Sequence, residues 1–274
     1  MNLAQALQTA SLSDPGRVRD HNEDCIESRP DIGLYVLADG MGGYNAGEVA
    51  SGMATSLISD GLAEAWTPDK VDRLSREEAM ALADRLIREQ IARTNTAIFT
   101  TSQNNPECAG MGTTLVVCLF YDDFLTVAHI GDSRLYRLRG DAMEQVTRDH
   151  SLLQEQLDSG LITPEEAKQS QNKNLVTKAL GIDPTVEPEL HCYETRPDDI
   201  YLLCSDGLND MVDDEEIRLT MVTLRQNPTL TVQQLVQAAN DGGGRDNISA
   251  MLVRVAEPFA VPRGWLARFK ALFR

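Results

Sequence analysis

The stretch "TTLVVCLFYDDFLTVAHIGDSRLYRL", Thr113 to Leu138, decides the fold class. It reads as three adjoining strands, Thr113–Tyr121, Phe124–Ile130 and Ser133–Leu138, rich in Val, Leu, Ile and Tyr. The breaks at Asp122–Asp123 and Gly131–Asp132 are too short for a crossover helix, so all three strands are expected to run antiparallel. A doubly wound parallel sheet does not fit.

Working outward, further strand-like runs are Leu34–Ala38, Ile200–Ser205 and Ile248–Val255. Helix-like runs are Glu48–Trp66, Arg76–Thr101, Asp213–Leu224 and Thr231–Asn240. The longest places Met80, Leu82, Ala83, Leu86, Ile87 and Ile91 close to helical spacing. Helices before and after tightly joined strands predict an α+β fold, with antiparallel sheets covered by helices. Repeats, low-complexity segments and linkers are absent from the sequence.

The 274 residues carry 25 Lys and Arg against 42 Asp and Glu, a formal net charge of -17. That argues against nucleic-acid binding, which needs clustered basic residues. No run approaches roughly 18 uncharged apolar residues, so no membrane span is expected. The N-terminus "MNLAQALQTASLSDPGR" lacks a basic region ahead of an apolar core, so export is not expected. Cys25, Cys108, Cys118, Cys192 and Cys204 are odd in number and lack CxxC spacing. Cys118 and Cys204 sit inside apolar runs, where buried thiols are expected, and a reducing cytoplasm fits best.

Acidic residues recur where apolar strands meet flexible turns. "YVLADG" ends at Asp39–Gly40, "LTVAHIGDSR" carries Gly131–Asp132, and "IYLLCSDGLND" carries Asp206–Gly207. In "GGGRDNISAMLV" Asp246 opens a strand, and "RVRDHNEDC" adds Arg19, Glu23 and Asp24. The plain reading of Asp-Gly after a strand is a turn. It weakens at Asp39, because "DGMGG" leads into a helix. A dinucleotide cradle is also a poor fit. "GMGGYN" has Asn45 where the third glycine belongs, and Asp39 would face a pyrophosphate without a neutralising cation.

Taken in order, "RDHNED", "LADGMGG", "GDSR", "CSDGL" and "GGRDN" resemble the motifs of the metal-dependent type 2C protein serine/threonine phosphatase family (PPM type), in its bacterial form. The resemblance extends from about Ser11 to Val255. It implies a four-layer α-β-β-α sandwich, two central antiparallel sheets flanked by helices. It also implies hydrolysis of phosphoserine and phosphothreonine on proteins, opposing a bacterial Ser/Thr kinase. The cofactors implied are two Mn²⁺ or Mg²⁺ ions, with a third, weaker one in many bacterial members.

Carried over by position, Asp39 bridges the two ions and the Gly40 carbonyl binds one. Asp206 and Asp246 ligate the other. Glu23 and Asp24 hold metal-bound waters, Arg19 grips the substrate phosphate, and Asp132 helps Asp206 with the third ion. Hard cations suit such oxygen donors, and no His/Cys cluster suggests zinc. Two ions ~3.5–4 Å apart acidify a shared water for in-line attack on phosphorus, and they relieve the repulsion of crowded carboxylates. A guanidinium fork holds two phosphate oxygens better than a lysine does. Asn247 is read as a brace for the Asp246 turn. His21, His129, His150 and His191 are read as structural or surface residues. Ser133 lacks the elbow of a nucleophile.

Met41 stands where eukaryotic members of the family commonly have histidine. A thioether has no proton to give, so Met41 is expected to pack and not to catalyse. Residues 1–256 are expected to form one phosphatase domain, monomeric and cytoplasmic. Its segment 146–182 resembles the family's flap beside the cleft; a plain helical connection is the alternative. Residues 257–274 form a basic tail that, as a helix, puts Trp265, Leu266, Phe269, Leu272 and Phe273 on one face. Docking of that tail on an anionic membrane or an acidic partner is one expectation, and packing on its own domain the other. Two other function classes stay open. One is a catalytically weak adaptor that binds phosphoproteins, against which the intact acidic positions argue. The other is a Ca²⁺ binder, for which the EF-hand loop is missing.

Overall fold

The structure, a computed structural model, describes residues 3–43, 46–167 and 175–262. In chain order its strands are β1 Leu7–Asp14, β2 Asp24–Arg29, β3 Leu34–Met41, β4 Gly112–Thr113, β5 Leu115–Tyr121 and β6 Phe124–Ile130. They continue with β7 Arg134–Arg139, β8 Ala142–Gln145, β9 Glu189–Glu194, β10 Ile200–Cys204 and β11 Ile248–Val255. The helices are α1 Leu3–Ala6, α2 Ala46–Ala65, α3 Pro68–Val71, α4 Arg76–Asn104 and α5 Leu152–Asp158. After them come α6 Pro164–Ala167, α7 Asp206–Asn209, α8 Asp214–Thr223 and α9 Pro228–Asp241.

One sheet has the order β1-β11-β10-β7-β8, the other β2-β3-β5-β6-β9 with β4 paired to β3. Every pairing is antiparallel. Three apolar layers hold the stack together. Between the sheets lie Tyr35, Leu37, Val116, Phe120, Val127, Tyr201, Leu203 and Met251. Phe120 anchors this layer through edge contacts with Tyr35 at 5.7 Å and Tyr201 at 5.4 Å. A second layer packs Ala50, Ile58, Leu62, Ile87 and Ile91 of α2 and α4 on the outer face of the β3–β5 sheet. A third packs Ile217, Met221, Val232 and Leu235 of α8 and α9 on the other sheet. The result is the expected four-layer α-β-β-α sandwich.

Local chemistry explains several boundaries. Ser75 and Glu78 form a reciprocal capping box that starts α4: the Glu78 N–H donates to Ser75 Oγ at 3.2 Å and the Ser75 N–H to Glu78 Oε2 at 2.8 Å. The β5–β6 hairpin turns at Asp122 and Asp123, both left-handed with φ of 51° and 61°. That is the twist a two-residue hairpin prefers.

One expectation is overturned. The strands on either side of Gly131–Asp132 do not adjoin. The second edge of β6 pairs with β9, and β7 pairs with β10 and β8, so the chain passes here from one sheet to the other. Gly131 makes the passage with φ +100, and a Cβ there would lie 2.7 Å from Thr114. Strands β1, β2, β8 and β9 were not among the expected runs. The expected basic tail falls largely on residues 263–274, outside the described residues, as do residues 168–174 of the expected flap.

Candidate metal centre

Four strand ends and two loops converge on one open pocket. It is lined by Arg19, Glu23, Asp39, Gly40, Met41, Gly42, Thr114, Asp132, Val176, Asp206 and Asp246, and holds roughly 710 Å³ with its mouth included. All expected site residues except Asp24 line it directly. Asp24 opens β2 directly opposite Asp39 of β3. Asp132 sits where the chain changes sheets, Asp206 opens α7 just past β10, and Asp246 precedes β11. Both sheets therefore contribute carboxylates, which neither sheet could gather alone.

The backbone around Asp39 is firmly held. Its N–H donates to Thr114 Oγ1 at 3.0 Å, and its carbonyl accepts from Thr113 Oγ1 at 2.8 Å and the Thr114 N–H at 2.9 Å. Gly40 meets α2 at Gly47: a Cβ on Gly40 would lie 2.1 Å from the Gly47 carbonyl oxygen and 2.6 Å from that of Glu23. The glycine is required by this close approach.

Crowding and burial work against the charged forms of these acids. Burial, then Asp24, Asp206, Asp132 and Asp246, hold Asp39 well above the usual carboxylate range. Burial first, then Asp132, Asp210 and Asp246, do the same for Asp206. Asp24 is raised to about 6, chiefly by burial, and the hydroxyl of Ser205 opposes this. Asp132 is raised to about 6 by burial, then Asp149, with Arg134 opposing. Burial also raises Glu23, opposed by Arg19.

The same crowding is a test of whether cations belong here. Asp24 Oδ2 accepts from Ser205 Oγ at 2.7 Å, but its Oδ1 is buried without a hydrogen-bond partner. An orphaned buried carboxylate oxygen costs on the order of 1–3 kcal/mol. A donor set of carboxylates with a close-lying glycine carbonyl suits hard divalent ions. The residues present fit such ions.

Arg19 supplies one counter-charge. Its Nη2 lies 2.7 Å from Asp246 Oδ2, on a side chain that is half exposed at the pocket mouth. Asn247 braces this region as expected and reaches further. Its Oδ1 accepts the Glu23 N–H at 2.8 Å, and its Nδ2 donates to the carbonyls of His21 at 2.8 Å and Pro15 at 3.1 Å. One amide thus ties the Asp246 turn to the loop bearing Arg19 and Glu23.

Sequence reasoning missed Thr114, Ser205 and Asp210. Asp210 had a signal: it stands one helical turn after Asp206, and its N–H donates to the Asp206 carbonyl at 2.8 Å. Val176, from the segment between β8 and β9, also lines the pocket; it forms a bridge with Ser151, and Leu180 pairs with Thr113. The histidines lie outside the pocket. The fold nevertheless assembles a cluster the sequence does not show, with ligand atoms of His129, His150 and Glu189 all within 4.8 Å of one another.

A family model described as Protein phosphatase 2C matches residues 17–252. The serine/threonine phosphatase stp of Listeria innocua is 38% identical over 247 residues, covering 88% of this chain and 93% of that one. The crystal structure of the Mycobacterium tuberculosis serine/threonine phosphatase PstP/Ppp superposes with a TM-score of 0.79 at 37% identity, covering 92% of this chain and 99% of that one. A further structure, the catalytic domain of PstP in complex with 2 manganese ions, gives a TM-score of 0.75 at 38% identity, with 92% and 99% coverage.

Proposed function

The chain belongs to the protein phosphatase 2C family, whose members are metal-dependent protein serine/threonine phosphatases, and on that premise we propose a dinuclear phosphatase acting on phosphoserine and phosphothreonine of proteins. The observation that carries this reading is the convergence of Asp24, Asp39, Asp132, Asp206 and Asp246 from both sheets on one pocket region, with Asp24 Oδ1 left unpartnered.

Asp39, the Gly40 carbonyl, Asp206 and Asp246 would hold two Mn²⁺ or Mg²⁺ ions, with Glu23 and Asp24 supporting them through water. Asp132 and Asp206 would hold a third, weaker one. When bound, such ions supply positive charge for the phosphoryl oxygens and acidify a water for attack on phosphorus. The manganese complex of the similar PstP domain supports divalent-metal use.

The chain's own residues do the remaining work. Arg19 is 2.7 Å from Asp246 and half exposed, so its guanidinium can turn from that carboxylate to two oxygens of a phosphoryl group. Ser205 orients Asp24, and Asn247 holds the loop that carries Arg19 and Glu23. Met41 lines the pocket without a proton to donate, so the departing serine or threonine oxygen takes its proton from water. Intact acids at every position argue against a catalytically weak phosphoprotein-binding adaptor.

Residues 1–256 are read as one monomeric, cytoplasmic phosphatase domain that opposes a Ser/Thr kinase. No helix among the described residues is long and apolar enough to cross a membrane. Calorimetric titration of chelator-treated protein with Mn²⁺ tests the centre. Two tightly held ions, with a third binding more weakly, are expected for the wild type and fewer tight ions for Asp39→Asn; equal tight stoichiometry in both would reject the bridging role.

A further inference from the structure

His129, His150 and Glu189 come together at the side of the sandwich where β6 pairs with β9, directly behind the Gly131–Asp132 turn. His129 faces Glu189 across that pairing. The two imidazoles are stacked, 4.7 Å between centroids and 8° between planes. Such a trio could be read as a transition-metal site, but its hydrogen bonds decide otherwise.

His129 Nε2 lies 2.7 Å from the Arg148 carbonyl, so it carries a proton and donates. That would suit a ligand binding through Nδ1. His150 does not follow this pattern. Its Nδ1 accepts the Gly131 N–H at 3.1 Å, which puts the proton of the neutral ring on Nε2, 3.6 Å from Glu189 Oε2. Neither ring nitrogen then has a lone pair to offer an ion. Glu189 is itself engaged, accepting from His191 Nε2 at 2.8 Å. Burial, with His129 and Lys178 adding to it and Glu189 opposing, lowers His150 to about 4, so the ring is neutral at physiological pH.

His150 also returns the contact. Its backbone N–H donates to the Gly131 carbonyl at 2.9 Å, so one histidine grips both sides of one glycine. Gly131 is the left-handed residue at which the chain leaves one sheet for the other, and Asp132 follows it into the pocket. From the other side Thr114 and Ser133 join hydroxyls at 2.7 Å. The turn is thus held between Thr114 and His150.

We propose that His150 is a positioning residue for Asp132: by accepting the Gly131 N–H it sets the angle at which the turn delivers the Asp132 carboxylate, and with it the affinity of the weakest ion. The inference rests on the three-ion reading above.

The test compares His150→Ala, His150→Asn and His150→Gln by calorimetric Mn²⁺ titration and by the Mn²⁺ dependence of phosphothreonine-peptide turnover, with thermal unfolding as a check of folding. Asn carries an acceptor oxygen near the position of Nδ1, whereas Gln carries it near Nε2. His150→Ala is expected to raise the Mn²⁺ concentration for half-maximal activity about tenfold, the lower end of the effect of removing an orienting group behind a ligand. His150→Asn should return it to within about threefold, and His150→Gln should not. If Ala does not fold, the Asn and Gln pair still decides the matter. Equal behaviour of Asn and Gln, or no shift with Ala, overturns the proposal. Zinc bonded to His150 Nε2 in a soaked crystal overturns it too. Asp132→Asn separates the two levels. If it leaves the Mn²⁺ dependence unchanged, the third-ion reading fails and takes this inference with it. If it shifts the dependence and His150→Ala does not, only the role of His150 fails.

Discussion

Arg19 Nη2 sits 2.7 Å from Asp246 Oδ2, so a guanidinium lining the pocket is paired with an acid that is proposed to hold a metal ion. A cation at Asp246 would take over that carboxylate and release Arg19 towards the mouth, where a phosphoryl group enters. Arg19→Ala should then act on substrate more than on metal. KM for a phosphothreonine peptide is expected to rise about 10–100-fold, the scale of losing a charged hydrogen bond of 1.5–3 kcal/mol. The Mn²⁺ requirement should hardly move, and Arg19→Lys should recover only part of the loss. A variant with unchanged KM would contradict the role.

Ser205 offers a contrasting test. Its Oγ donates to Asp24 Oδ2 at 2.7 Å and accepts the Ser249 N–H at 2.9 Å, tying β2 of one sheet to β11 of the other. Ser205→Ala should raise the Mn²⁺ needed for half-maximal activity about tenfold while KM for peptide at saturating metal stays near wild type. An unaltered metal requirement would show that Asp24 needs no orientation.

These two residues also mark how far the sequence could be read. Strands with dense apolar runs, such as Phe124–Ile130 and Ile248–Val255, were legible to the residue because both faces are covered. The strands β1 "LQTASLSD" and β2 "DCIESR" were not, since most of their residues are partly exposed and neither alternates cleanly. The acids were visible as punctuation at strand ends. Their union was not, because Asp132 owes its place to a change of sheet that looks like an ordinary hairpin turn in sequence. The His129–His150–Glu189 cluster was equally hidden. It depends on the β6–β9 pairing and on a loop that folds back on Gly131.

A pH prediction follows from the raised acids. Asp39 titrates well above its unfolded value of about 4, so between those two values the folded chain keeps a proton that the unfolded chain has lost. Its contribution to stability therefore falls as pH rises through that window. His129 and His150, lowered by burial, act in the opposite direction over mildly acidic pH, so the variant difference is the clean readout. In chelator, Asp39→Asn should stabilise the protein relative to wild type, and more at pH 7 than at pH 5. Excess Mn²⁺ should reverse the order at pH 7, because the ions bind the ionised carboxylates. Thermal unfolding at the two pH values checks this, and a pH-independent difference would contradict it.

Met41 tests the source of the leaving-group proton. It lines the pocket at the end of β3, beside Asp39 and Gly40. A positioned acid typically contributes ~10²–10⁴-fold to departure of an alkoxide. Met41→Ala should leave turnover of p-nitrophenyl phosphate within a few-fold, since that leaving group needs little protonation. A loss approaching that of Asp39→Asn would make Met41 chemically essential.

The central claim is that Asp39 and Asp206 would hold the divalent ions on which hydrolysis of phosphoprotein esters depends. Phosphate release from a phosphothreonine peptide, measured with Mn²⁺ and after chelation for wild type, Asp39→Asn and Asp206→Asn, tests it most directly. The wild type should turn over only with metal, and both variants should fall by at least about 10³-fold while keeping their fold, since a neutral amide cannot balance two dications. Turnover that survives chelation, or near-normal activity of either variant in excess Mn²⁺, would contradict it.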